Sequence, residues 1–282
     1  MLRRTFCHVP GVGLQSEHRL WAAGAVSWDA VAQSGAVLPG RQRERIIRHV
    51  EESEQRLAAR DAAFFTRTMP ASEHWRIYSQ FRDSVAYVDI ETTGLGGPGD
   101  YITTIALYDG RGIRHYVHGR NLADFAGDIQ AYRLLVTYNG KCFDLPMLRR
   151  SFGLPLDQAH IDLRYVLASL GYTGGLKGCE RRLGLDRGDL ADVDGYFAVL
   201  LWQEYRRHGD LQALETLLAY NIRDVVNLEP LLIHAYNLKT RQTPFGPTVA
   251  LRPPEPPAEP FRAHTPTVQR LLRRYTGLDG RW

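Results

Sequence analysis

Four acidic residues and a tyrosine stand at spacings that could do chemistry. Asp89 and Glu91 lie two apart at the end of the apolar run VAYVDI. In a strand, the pleat turns both carboxylates to one face. Two anions side by side against an apolar run repel each other and are poorly solvated, so the pair asks for a cation. A strand end frayed into solvent is the bland alternative. Asp144 closes the string NGKCFD directly after a second apolar run, LLVTY. It stands where a helix N-cap is expected, with Pro146 in the first turn. A junction between strand and helix would hold a metal ligand rigidly, so cap and ligand are compatible roles. Tyr220 and Asp224 are four apart in LLAYNIRDVVNL, which places phenol and carboxylate on one helix face. Carboxylates without thiolate or imidazole partners form a hard oxygen set, suited to Mg2+ or Mn2+ and not to zinc.

The elements that must position these residues can be read from periodicity. VAYVDIE, ITTIALYD and GIRHYVHG are β-rich runs separated by Gly-containing turns, which predicts an antiparallel meander. LLVTYN is a fourth strand, preceded by a helical stretch near Leu122 to Tyr132 and followed by one at Leu145 to Phe152. Such β-α-β-α alternation argues for a sheet covered by helices, an α/β fold. From Leu163 onward the pattern is helical. The loop after Glu91, TTGLGGPGD, is flexible enough to bring backbone and Leu95 close to a ligand.

Taken together, the strings resemble the DEDD, or DnaQ-like, superfamily of 3′-to-5′ exonucleases. Its first motif is a DxE carried by strings such as DIETTGL, matched by Asp89 and Glu91. Its second, Nx3(F/Y)D, is matched by Asn139, Phe143 and Asp144. Its third is HxxxxD or YxxxD; position 219 is Ala219, so the tyrosine form, Tyr220 and Asp224, is the one present. Within that superfamily the chain is similar to YprB-type ribonuclease H-like domains. The resemblance covers Ser84 to about Lys239. It implies an RNase H-like mixed sheet, an antiparallel meander plus parallel strands, flanked by helices.

The resemblance also implies two-metal phosphodiester hydrolysis. Two divalent cations, Mg2+ or Mn2+, would bind Asp89, Glu91, Asp144 and Asp224, with Asp89 bridging. Tyr220 would orient the attacking water, since a phenol with a pKa near 10 positions better than it deprotonates at neutral pH. Thr92, Leu95 and Asn139 are candidate substrate contacts, and the expected substrate is DNA or RNA with a single-stranded 3′ end. Asp162, near the second motif, reads as structural. His115 and His118, three apart in a strand, point to opposite faces and read as ordinary residues. The acidic run from Asp186 to Asp194 reads as solvated turn and cap carboxylates. An RNase H-like endonuclease or junction-cutting enzyme would keep the same carboxylates, whereas a non-catalytic nucleic-acid-binding module would lose one.

Residues 1–80 form a small helical N-terminal region. HVPGVGLQSEHRLWAAGAVSWDAV resembles a helix-hairpin-helix element, whose turn at Gly11 and Gly13 would offer amides to a phosphate. ERIIRHVEESEQRLAAR reads as an amphipathic helix, and Arg60 to Phe81 as the link to residues 84–239. Arg19 and the arginines from Arg41 to Arg48 would add phosphate contacts. Residues 240–282 read as a Pro-rich linker, RPPEPPAEPF, and a basic tail with a short helix, TVQRLLRRY.

Composition sets the outer limits. The 282 residues are 44% hydrophobic and 23% charged, with net charge +4 and pI near 9.0, a globular balance that favours polyanionic partners. No apolar run is long enough for a membrane span or a signal peptide, which predicts a cytoplasmic protein. Cys7, Cys142 and Cys179 form no CxxC and read as buried reduced thiols.

Overall fold

The computed structural model of the chain describes residues 1–33, 40–185, 187–188 and 195–276. Five strands form one sheet: β1 (Val85–Thr92), β2 (Ile102–Tyr108), β3 (Ile113–Val117), β4 (Leu134–Thr137) and β5 (Ala159–Asp162), in the order β3-β2-β1-β4-β5. β1, β2 and β3 pair antiparallel, as the meander predicts, while β4 and β5 add parallel to β1 and to each other. The fold is therefore the expected mixed α/β architecture. β5 was not legible, because AHID is four residues long and alternates a histidine and an aspartate with its apolar positions.

The helices are α1 (Leu14–Ala22), α2 (Trp28–Gln33), α3 (Gly40–Ala58), α4 (Ala62–Thr68), α5 (Tyr78–Phe81), α6 (Phe125–Asp128), α7 (Asp144–Phe152), α8 (Leu163–Ala168), α9 (Gly175–Arg182), α10 (Gly195–His208), α11 (Leu211–Arg241), α12 (Gly246–Val249) and α13 (Thr265–Thr276). α11 is capped by Asp210, whose carboxylate accepts from the Gln212 and Ala213 N–H groups, and it runs for 31 residues through Pro230.

Two apolar layers sandwich the sheet. Val85, Tyr87, Ala106 and Val136 face α11 through Ile222, Val225 and Leu232. Ala86, Val88, Ile90, Ile105 and Leu135 face α7 and α6 through Leu145, Leu148 and Phe125. The period of two along β1 thus delivers Asp89 and Glu91 to the face covered by α11. A slip of one residue would bury that pair among Leu145 and Leu148 under α7 and turn Val88 and Ile90 toward α11 in its place. Each buried aliphatic side chain is worth about 1.5–3 kcal/mol, so the register is firmly set.

The N-terminal region is helical, and its aromatic residues belong to the apolar cluster on the α11 side of the sheet, where Leu2, Phe6, Trp28 and Phe65 join Tyr87, Leu134 and Tyr236. Residues 60–81 connect α3 to β1 as packed helical structure. They fold into α4, a 3-10 helix (Ala71–Ile77) and α5, with Trp75, Ile77, Tyr78 and Phe81 buried. The physical reason is their aromatic content, which extended chain would leave in water. Glu17 accepts from the Phe6 and Cys7 N–H groups at 2.5 and 3.0 Å and pairs with Arg76 at 2.7 Å, and Arg76 also holds Glu73 at 2.7 Å.

The Pro-rich stretch is extended and runs along α11. Asn237 exchanges two 2.8 Å hydrogen bonds with the Leu251 backbone, and Arg223 pairs with Glu259 at 2.7 Å. α13 follows, with Val268 and Leu271 buried. Cys7 and Cys179 are buried, but Cys142 is exposed, because it sits on the outer side of the turn between β4 and α7. Among the described residues, no helix is long and apolar enough to cross a membrane.

Candidate metal centre

Three carboxylates from two distant stretches of sequence meet at the end of β1. Asp89, Glu91 and Asp224 each present an oxygen within 4.8 Å of the others, a grouping that could hold a metal ion. β1 supplies the first two from one face, and α11 crosses that face carrying Asp224. The register with β2 shifts between Glu91 and Thr92, so regular pairing is interrupted just beyond the pair.

Asp144 arrives differently. It is the first residue of α7, beyond the C-terminal end of β4, and stands outside the mutual 4.8 Å group. It is close enough to raise the pKa of both Asp89 and Glu91. The turn that carries it is held by Asp162, whose carboxylate accepts from the Asn139, Lys141 and Arg164 N–H groups at 2.8, 3.0 and 3.1 Å. Asp162 is thus structural. Asn139 sits in the left-handed region at φ 66, a conformation asparagine tolerates, and its side-chain oxygen accepts from Arg164 at 2.6 Å. A Cβ on Gly140 would collide with the Thr137 hydroxyl, which itself receives the Gly140 N–H at 3.1 Å.

The loop after β1 is tied by Asp100, which accepts from the Gly96 and Gly97 N–H groups at 2.9 and 2.7 Å. Thr92 is buried and donates to the Gly94 carbonyl at 2.5 Å. Leu95 is 96% exposed at the loop tip. An apolar side chain so fully in water is free to meet a ligand.

The electrostatics are those of crowded anions. Burial, then Asp224, Asp144 and Glu91, push Asp89 well above the ordinary carboxylate range. Burial, then Asp224 and Asp144, do the same to Glu91, with Lys177 and Arg187 opposing. Burial pushes Asp144 up to about 7, against backbone hydrogen bonds at Asp144 itself and Ile90. Asp224 is pushed up to about 6 by burial, with Arg187 the main opposing group. Tyr220 is buried, and burial together with Asp224, Glu91 and Asp89 holds its phenol far above the ordinary tyrosine range.

Several residues at the centre escaped the sequence reading. Asn221 Nδ2 donates to Asp89 Oδ2 at 2.6 Å, while Thr104 Oγ1 donates to Asn221 Oδ1 at 3.0 Å. The guanidinium of Arg187 and the ammonium of Lys177 lie 5.3 and 5.6 Å from the Tyr220 ring centroid. Arg187 donates to Asp224 and to Glu180, and Asn227 donates to Glu180 at 2.7 Å. Arg187 and Gly188 are the described part of the run from Asp186 to Asp194; the rest lies outside the described residues. The acidic residues of that run therefore lie outside the described residues, while Arg187 itself is buried. His115 and His118 have separate surroundings, Phe261 at 5.0 Å and Tyr101 at 4.5 Å, as ordinary packed residues do.

A family model for the RNase H superfamily matches residues 86–236, more than half of the chain. The chain belongs to the RNase H superfamily. The matched span begins in β1 and ends in α11, so it contains all four carboxylates and Tyr220. The chain is 28% identical over 180 residues to an uncharacterized protein of Bacillus subtilis (strain 168), YprB. That match spans 54% of this chain and 42% of YprB. Among solved structures, the family B DNA polymerase from the hyperthermophilic archaeon Pyrobaculum calidifontis aligns with 20% identity and a TM-score of 0.41, over 60% of this chain and 27% of the polymerase.

Proposed function

We propose that the chain is a metal-dependent nuclease that removes nucleotides from the 3′ end of DNA or RNA. The observation that carries the reading is the meeting of Asp89, Glu91 and Asp224 within 4.8 Å, beside a buried tyrosine. Crowded carboxylates at the mouth of a sheet cost stability, and a hard divalent cation relieves that cost. The residues fit such ions: the donors are all carboxylate oxygens, and among the described residues no imidazole or thiolate belongs to the group. In this reading Asp89, Glu91, Asp144 and Asp224 hold two divalent cations, Mg2+ or Mn2+. When bound, the cations acidify water and stabilise charge on the phosphorus.

The protein's own groups set the geometry. Asn221 fixes one oxygen of Asp89, leaving the other for a cation. Tyr220, with its phenol held protonated, is a hydrogen-bond donor and positions water without taking its proton. In the same reading Thr92, the backbone around Leu95, and Asn139 would contact the substrate. At the N-terminal region, Gly11 has φ 79, and the Arg45 guanidinium lies 3.2 Å from where its Cβ would stand. That pairing of turn and cation supports a phosphate contact at Gly11 and Gly13, remote from cleavage.

The deciding experiment is digestion of end-labelled single-stranded DNA and RNA, with circular DNA alongside, in Mg2+, in Mn2+ and in chelator. Stepwise release from the 3′ end, only with metal and only from linear substrate, is expected. Cleavage of circles would establish an endonuclease, and activity in excess chelator would overturn the metal reading.

A further inference from the structure

Arg187 stands inside the carboxylate cluster. One terminal nitrogen donates to Asp224 Oδ1 and the other to Glu180 Oε2 at 2.6 Å. Behind it, Asn227 Nδ2 holds the second Glu180 oxygen at 2.7 Å. Glu180 is fully buried and Arg187 is 6% exposed, so the guanidinium is clamped with its charge toward Asp224. Its Nε–H is buried and has no partner among the described residues. The two terminal nitrogens therefore make the contacts that define this guanidinium among the described residues, and both are to carboxylates.

We propose that Arg187 is the resident counter-cation of the cluster: it neutralises Asp224 while no divalent ion is bound, and divalent ions bind against its charge. The proposal rests on the reading of the four carboxylates as a metal site. A guanidinium beside crowded carboxylates stabilises them by opposite charge, and the same guanidinium repels an incoming dication. Because binding linkage is reciprocal, whatever Arg187 contributes to the metal-free fold it must in part give up when metal binds. An ion pair with a purely structural role contributes equally in both states, and this difference separates the two readings without any measurement of activity.

The test uses the full chain, comparing wild type with Arg187→Gln and Arg187→Lys. Each is melted in chelator and in saturating Mg2+, and each is titrated with Mn2+ by calorimetry. Arg187→Gln should melt below wild type in chelator, most of that deficit should disappear in Mg2+, and Mn2+ should bind roughly tenfold more tightly. Arg187→Lys, which keeps the charge, should bind Mn2+ close to the wild-type affinity. If Arg187→Gln does not fold, Arg187→Met keeps the packing of the stem and is read the same way. An equal melting deficit with and without Mg2+, or Mn2+ binding no tighter than wild type, would overturn the role of Arg187 and leave the metal site standing. A wild type that neither binds Mn2+ nor gains melting temperature in Mg2+ would overturn both.

Discussion

Asn221 on α11 donates from Nδ2 to Asp89 on β1 at 2.6 Å, and its own carbonyl oxygen accepts from Thr104 on β2 at 3.0 Å. One buried amide thereby joins the helix to two strands and fixes which oxygen of Asp89 is left for other partners. Groups that orient a metal ligand in this way typically carry 10–100-fold in affinity or rate. Asn221→Ala should therefore cut metal-dependent turnover by at least about tenfold and weaken Mn2+ binding, with the fold retained. Turnover and Mn2+ affinity both equal to wild type would show that Asp89 needs no such support.

Asp89 itself is pushed above the carboxylate range by burial and by three neighbouring acids. Replacing it with the neutral isostere removes one charge from the crowd. Asp89→Asn should abolish cleavage and, in chelator, melt above wild type by about 1 kcal/mol or more of stability. Saturating Mg2+ should raise the wild-type melting temperature and move the mutant less. Equal metal-induced shifts in both proteins would remove Asp89 from the ligand set.

What was legible divides along a physical line. Asp89 and Glu91 announced themselves because a charged pair interrupts an apolar strand, and Asp144 and Tyr220 with Asp224 because strand-to-helix and i, i+4 spacings have fixed geometry. The strands long enough to show alternation were found, and β5 was not. Asn221, Glu180, Arg187 and Asn227 could not be found in this way. Each is a polar residue in an ordinary helical or turn context, and its role comes from a partner between 37 and 132 positions away in the chain for the Arg187 and Asn221 contacts with the cluster. The packing of the aromatic run through residues 60–81 is equally hidden from local periodicity, because Trp75 and Tyr78 meet Tyr236 on α11, far along the sequence.

Gly140 offers a test of how Asp144 is placed. The turn from β4 into α7 passes so close to Thr137 that a Cβ would meet its hydroxyl. Gly140→Ala should therefore destabilise the fold by about 1–3 kcal/mol, the usual range for overpacking, and should reduce activity by displacing Asp144. Thr137→Ala in the same chain removes the colliding hydroxyl and methyl but leaves the Thr137 Cβ, 2.5 Å from the added one, so it should restore only part of the lost stability. Gly140→Ala that melts and cleaves like wild type would mean the turn relaxes without moving Asp144.

The raised carboxylates make a signed prediction for pH. Asp144 holds its proton up to about pH 7 in the folded chain and Asp224 up to about 6, against about 4 when unfolded. Between those limits the folded state binds more protons than the unfolded state, so the contribution is fully present below pH 4 and is lost as pH rises through 6 to 7. Buried His8 and His160, depressed to about 3 and about 4, act the other way, losing their contribution as pH falls from about 6.5. The site must therefore be isolated by difference. In chelator, the melting temperature of Asp144→Asn relative to wild type should rise by several degrees from pH 5 to pH 8, because the asparagine imitates the protonated acid at every pH. Mn2+ binding by wild type should tighten over the same interval and release protons, measurable by calorimetry in buffers of different ionisation enthalpy. A pH-independent difference between the two proteins, with no proton release on Mn2+ binding, would show that Asp144 is already ionised in the metal-free chain and that its burial does not hold the proton.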